Sequence, residues 1–142
     1  MIKVIKKDLF KLKDYPLAHC ISSDWGMGAG IAVTFQKKYK VKNHLYKYYP
    51  QLLGKYPTTI GIISKDRFIF NLVTKNKYWN KPSLSDLEKC IIELKILMDK
   101  VKIKKIAMPK IGCGLDRLNW DDVKEILEKT FDDSYEIIIC YI

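Results

Sequence analysis

Residues 106–119 read Ile106-Ala107-Met108-Pro109-Lys110-Ile111-Gly112-Cys113-Gly114-Leu115-Asp116-Arg117-Leu118-Asn119. A run of apolar residues closed by a proline is the mark of a strand buried on both faces, here spanning Lys105–Pro109. The Gly-x-Gly behind it lets the backbone adopt positive φ and approach a ligand closely. Asn119 then stands as a helix N-cap, with Asp121 and Asp122 in the first turn and Val123, Ile126, Leu127 and Phe131 on one face. The same order occurs once earlier. A strand over Leu17–Ser22 runs into a loop carrying Gly26, Gly28 and Gly30, and a helix follows over Ala29–Tyr39. Ligands of open α/β sheets sit beyond the carboxyl ends of the strands. Two glycine loops side by side there would hold a diphosphate from both sides. Neither loop carries the Lys-Ser/Thr of a P-loop or the full G-x-G-x-x-G spacing.

Working outward, alternation and β-branched runs predict further strands over Ile2–Lys6, Ile60–Ser64, Arg67–Val73 and Glu136–Tyr141. Lys65-Asp66 joins two of these as a tight hairpin. Leu84, Leu87, Ile91, Leu94 and Met98 recur at helical spacing, with Ser85 and Glu88 read as a capping box. A short helix around Leu45–Leu53, interrupted by Pro50, is the expectation for the segment Lys40–Thr59. Strands mixed with helices and one hairpin give an α/β fold whose mixed sheet is covered on both faces. Nothing divides the 142 residues, so one domain over 1–142 is expected.

Composition narrows the class. Hydrophobic residues make up 48% and charged ones 30%, enough for a core. No apolar run approaches the ~20 residues of a membrane helix. The N-terminus is too short and too alternating for a signal peptide, so a cytoplasmic monomer is expected. Cys20, Cys90, Cys113 and Cys140 are too scattered for a zinc ribbon or a disulfide framework. The net charge is +10, and all but Arg67 and Arg117 of the 26 basic residues are lysines. No acidic residue lies between Asp24 and Asp66, where seven lysines interleave with Tyr39, Tyr46, Tyr48, Tyr49 and Tyr56. That stretch has two open readings: biased composition, or a surface that attracts an anionic partner such as nucleic acid.

Taken together, Lys7-Asp8-Leu9-Phe10, Leu17–Ser22 with Met27–Val33, Leu72-Val73-Thr74-Lys75 with Lys81-Pro82, and Met108–Leu118 with Trp120 resemble the macrodomain family. Gly112-Cys113-Gly114-Leu115-Asp116-Arg117-Leu118 points to its branch of terminal ADP-ribose protein glycohydrolases and O-acyl-ADP-ribose deacylases, which is related to antitoxins acting on ADP-ribosylated DNA. The resemblance implies a three-layer α/β/α fold around a mixed, mostly parallel six-stranded sheet. It implies a hydrolase of ADP-ribosylated protein or O-acyl-ADP-ribose, with ADP-ribosylated DNA as the alternative carrier, and with no cofactor or metal. The family's nucleophile falls on Lys75, attacking C1″ of the distal ribose, and its acid–base group on Asp116. Asp8 would accept from the adenine amino group and Leu9 would pack on the base. His19, Ser22, Met27, Gly28, Ala29 and Gly30 would contact the ligand from one side. Pro109, Lys110, Ile111, Gly112, Cys113, Gly114 and Leu115 would do so from the other, with Tyr141 and Ile142 beside the adenosine.

Two readings compete with this one. A macrodomain that only recognises ADP-ribose needs the glycine loops but neither Lys75 nor Asp116. A thiol hydrolase would pair Cys113 with His19 or His44, but no orienting Asn or Asp is apparent in the sequence.

Overall fold

The computed structural model describes residues 1–142. Six strands and four α-helices follow in the order β1 (Ile2–Lys6), β2 (Leu17–Ser22), α1 (Ile31–Tyr39), α2 (Val41–Tyr48), β3 (Thr58–Ser64), β4 (Arg67–Lys75), α3 (Leu84–Lys100), β5 (Lys105–Met108), α4 (Trp120–Thr130) and β6 (Glu136–Tyr141). The sheet order is β1-β6-β5-β2-β4-β3. All neighbours are parallel except the β3–β4 hairpin, which pairs Thr58 with Val73 through to Ser64 with Arg67.

Period-two alternation sends each strand's side chains to two different cores. Ile137 and Ile139 of β6, Phe70 and Leu72 of β4, and Ile106 and Met108 of β5 face α3 and α4. There Leu87, Ile91, Leu94 and Met98 meet Val123, Ile126 and Leu127. Ile138 and Cys140 of β6, Ile69 and Val73 of β4, and Leu17 and Ile21 of β2 face the other way, onto Phe35, Tyr39, Val41 and Leu45 of α1 and α2. Each such aliphatic side chain, once buried, contributes roughly 1.5–3 kcal/mol. The two cores make three layers, helices on both faces of one mixed sheet, as the resemblance implied. No helix is long and apolar enough to cross a membrane.

Several boundaries differ from the sequence reading; β3, for one, begins at Thr58 rather than Ile60, and the others have local reasons. Helix α3 is capped by Ser83 rather than Ser85; the Ser83 side chain accepts from Asp86 N at 3.0 Å. That start brings Leu84 into the helix and onto the core. Helix α1 begins at Ile31, not Ala29, because Gly30 sits at φ 62°, ψ −152°, a conformation reserved for glycine. Strand β4 runs two residues further, to Lys75, while β5 stops at Met108, since Pro109 has no N–H for a ladder. The lysine-rich segment holds α2 from Val41 and a 3₁₀ turn over Pro50–Leu52. Lys40, in a left-handed conformation, ends α1 and leads directly into α2.

Candidate active site

The carboxyl ends of β2, β4 and β5 open onto a cavity of about 750 Å³. Its lining joins both glycine loops: Ser22, Gly26, Gly28, Ala29 and Gly30 from the first, Pro109, Lys110, Ile111, Gly112, Gly114, Leu115 and Asp116 from the second. Helix α1 points into this space from Gly30 with no side-chain cap, so its first N–H groups stay available to an anion. Helix α4 is different. Asn119 caps it by accepting from Asp122 N at 3.2 Å, so the second loop contributes its own backbone rather than a helix start.

Lys75 and Asp116 meet at the wall of this cavity. Lys75 Nζ donates to Asp116 Oδ1 at 2.6 Å, and each side chain is 13% exposed. The backbone arranges this. At the end of β2 the register with β4 slips between Ile21 and Ser22, so Ser22 pairs with Lys75. Ser23 N then donates to Lys75 O at 2.8 Å, and Ser23 Oγ to Asn76 O at 2.6 Å. A bulge of this kind re-aims side chains at a strand end. Here it fixes the turn carrying Lys75 against the first glycine loop.

Asp24 stiffens the same junction. Its carboxylate accepts from Ser22 Oγ, from Gly26 N at 3.1 Å, and from Tyr78 N at 3.2 Å. Partial burial pushes its pKa up, but these hydrogen bonds, with Lys77 nearby, outweigh it and hold the carboxyl below its ordinary range. The first glycine loop and the β4–α3 connection are therefore tied by one anion.

A second cavity of about 450 Å³ adjoins the first, and Ile31 lines both. Asp8, Leu9, Phe10, Thr34, Cys140 and Ile142 line it, with Lys7, Lys11 and Lys38 around them. Asp8 Oδ1 accepts from Phe10 N at 3.0 Å, which caps a 3₁₀ turn over Leu9–Lys11. The other carboxylate oxygen makes no hydrogen bond within the protein. Leu9 is buried beneath the cavity.

Four residues expected at the ligand line neither cavity: His19, Met27, Cys113 and Tyr141. Met27 is buried in the core under α1. Tyr141 is exposed, with the Lys110 ammonium 5.3 Å from its ring centre. Cys113 packs against the α3–α4 core and its thiol donates to Ile111 O at 3.4 Å. Burial pushes that thiol up despite the Lys110 charge, the reverse of what a thiolate nucleophile needs. His19 is fully buried, stacks on Phe35 at 3.8 Å, and pairs through Nε2 with Asn71 Oδ1 at 2.7 Å. Its role in this fold is to bridge β2 and β4, which leaves Cys113 without a base. In turn the cavity includes Gly26 of the first glycine loop and residues not anticipated at the ligand: Cys20, Ile21, Ile31, Ala32, Tyr78 and Lys81.

Burial lowers the His19 pKa to about 4 even though the Asn71 bond opposes the shift. The unfolded chain, with histidine near 6.5, therefore takes up this proton first as the pH falls. Stability should drop between about pH 6.5 and pH 4 and level off below, by at most about 3 kcal/mol. Urea midpoints measured across that range should flatten in His19→Gln. An unchanged slope would show that His19 does not carry the effect.

A two-lobed cleft with glycine loops, an uncapped helix start and a partly buried lysine–aspartate pair suits a long anionic ligand with a reactive centre at one end. The Macro domain family model matches residues 19–127, and the chain belongs to that family. It is 38% identical over 133 residues to the ADP-ribose glycohydrolase OARD1 of Homo sapiens, spanning 92% of this chain and 84% of that one. It is 27% identical over 146 residues to the DNA ADP-ribosyl glycohydrolase of Mycobacterium tuberculosis, covering 96% of this chain but 40% of that one. The solved macrodomain of Mycobacterium tuberculosis DarG superposes with a TM-score of 0.88 at 22% identity, over 100% of this chain and 98% of that one.

Proposed function

We propose that this macrodomain is an ADP-ribosyl hydrolase that removes terminal ADP-ribose from acidic side chains and deacylates O-acyl-ADP-ribose, with Lys75 as nucleophile and Asp116 as acid–base group. The observation that carries this reading is the 2.6 Å Lys75–Asp116 contact inside the cleft formed by the two glycine loops. The name of the human relative supports the substrate class. The adenosine fits the smaller cavity at Asp8 and Leu9, and the diphosphate passes Ile31 between Gly28–Gly30 and Ile111–Gly114. This places the distal ribose at Lys75.

The chemistry follows from that placement. A lysine attacks only as the free amine, and Asp116 Oδ1 is the acceptor in line with its proton. With the proton on Asp116, the Nζ lone pair bonds to C1″, the C1″–O bond breaks, and the carrier's carboxylate leaves with that bond's electrons and takes the proton from Asp116, which becomes a carboxylate again. Water then adds at C1″, giving its proton to the carboxylate. The C–N bond breaks, the amine recovers its electrons, and free ADP-ribose departs. Asp116 thus serves twice, as acceptor and as donor.

A second reading keeps the machinery and changes the carrier to DNA. It draws on the exposed tyrosines Tyr46, Tyr48 and Tyr56 in the acid-free lysine stretch and on the name of the mycobacterial relative. Lysines neutralise phosphates and tyrosines stack on bases. Product analysis on ADP-ribosyl-glutamate peptide, O-acetyl-ADP-ribose and ADP-ribosylated DNA, at several salt concentrations, tests both. Release of ADP-ribose from the first two is expected. Turnover confined to DNA and falling steeply with salt would favour the second reading, and none at all would leave an ADP-ribose reader.

A further inference from the structure

Asp116 stands on a stretch with little packing of its own. Gly114 and Leu115 are exposed, and a side chain added at Gly114 would meet nothing within 4 Å. The loop's internal bonds close around this stretch, Leu118 N to Gly112 O at 2.7 Å and Arg117 N to Gly114 O at 3.1 Å. No backbone N–H reaches the Leu115 carbonyl. Its partner is Lys81, whose Nζ donates to Leu115 O at 2.5 Å. Lys75 and Lys81 come from the end of β4 and the connection behind it, and they take hold of adjacent residues, 116 and 115. Both line the cavity.

We infer that Lys81 is a positioning residue for the second half of the reaction: it holds the Asp116 loop in place while Lys75 Nζ is bonded to the sugar. The inference rests on the covalent reading above. In the free protein Asp116 is held twice, by its ion pair and through Leu115. When Nζ becomes bonded to C1″ it is a secondary ammonium whose position is set by the sugar, so the Lys75 contact to Asp116 is re-made around C1″ while the Lys81 tether to Leu115 O stays as it was. Asp116 must still reach a water at C1″ in that state, and displacement by 1 Å is enough to cost up to about 10²-fold in rate. Lys81 bonds a backbone oxygen, so the arrangement asks for a cationic donor of this reach and not for a proton donor or a nucleophile.

The test compares Lys81→Ala and Lys81→Arg with the full-length wild-type chain. Readouts are ADP-ribose affinity by calorimetry, kcat and KM on O-acetyl-ADP-ribose and on ADP-ribosyl-glutamate peptide, and intact-protein mass during turnover. Lys81→Ala should keep ADP-ribose affinity within about twofold and the melting temperature of the wild type. Its kcat on the peptide should fall about ten- to a hundredfold. A Lys75-linked ADP-ribose adduct should become visible, and Lys81→Arg should recover most of the rate. Weakened ADP-ribose binding with kcat unchanged would overturn it, making Lys81 a phosphate contact. Wild-type kinetics in Lys81→Ala, with Lys75→Ala inactive, would also overturn it while sparing the proposed function. Normal turnover in Lys75→Ala would remove the reading beneath it.

Discussion

Lys75→Ala should bind ADP-ribose with the affinity of the unaltered protein, in the low-micromolar range or about −8 kcal/mol, and should lose turnover on the order of 10³-fold or more. Binding draws on the glycine loops, the open start of α1 and the Asp8 cavity, which the substitution leaves in place. Turnover draws on a lone pair that alanine lacks. Lys75→Arg separates charge from nucleophilicity, because a guanidinium keeps the Asp116 partner but is never neutral near physiological pH. Arginine should be as inactive as alanine. A Lys75→Arg protein that turns over normally would reduce Lys75 to an electrostatic contact.

The second large effect belongs to Gly28. A side chain added there meets no protein atom within 4 Å, and the backbone is not at positive φ. Gly28→Phe should therefore fold with an unchanged melting temperature. It places its ring in the cavity between the two loops, and ADP-ribose affinity should fall more than 100-fold, about 2.7 kcal/mol. Gly112 supplies the contrast. It sits at φ 73°, and a Cβ would stand 3.0 Å from Leu118 Cδ1 and 3.1 Å from Leu87 Cδ2. Gly112→Ala should lose stability by about 1–3 kcal/mol before any ligand is added. Calorimetry paired with thermal melts distinguishes the two. Unchanged affinity in Gly28→Phe would remove the diphosphate from this channel.

The strands and the two amphipathic helices were legible because burial writes itself into the sequence: Ile137–Cys140 is an unbroken apolar run shared between two cores, and Leu87 through Met98 return every three or four residues. The glycine loops were legible for a similar reason, since positive φ at Gly30 and Gly112 has a residue type. Lys75 had no such mark among so many lysines. Its place depends on β4 outrunning its apolar run by two residues and on a bulge at Thr74, where β4 slips against a strand more than fifty residues earlier. Family resemblance, not periodicity, pointed to it. His19 misled for the opposite reason. A histidine beside a glycine loop reads as chemistry, yet its partners Asn71 and Phe35 lie on other elements and turn it into a strand bridge. Lys81 and Tyr78 belong to the site by tertiary contact, which no local pattern records.

The most direct measurement is the intact mass of Asp116→Ala after exposure to ADP-ribosyl-glutamate peptide. With Lys75 released from its ion pair and free to lose its proton to water, and with no acid–base group to complete hydrolysis, the protein should gain one ADP-ribose unit, and fragmentation should place it on Lys75. An Asp116→Ala protein that remains unmodified while releasing ADP-ribose at the wild-type rate would contradict the lysine–aspartate mechanism.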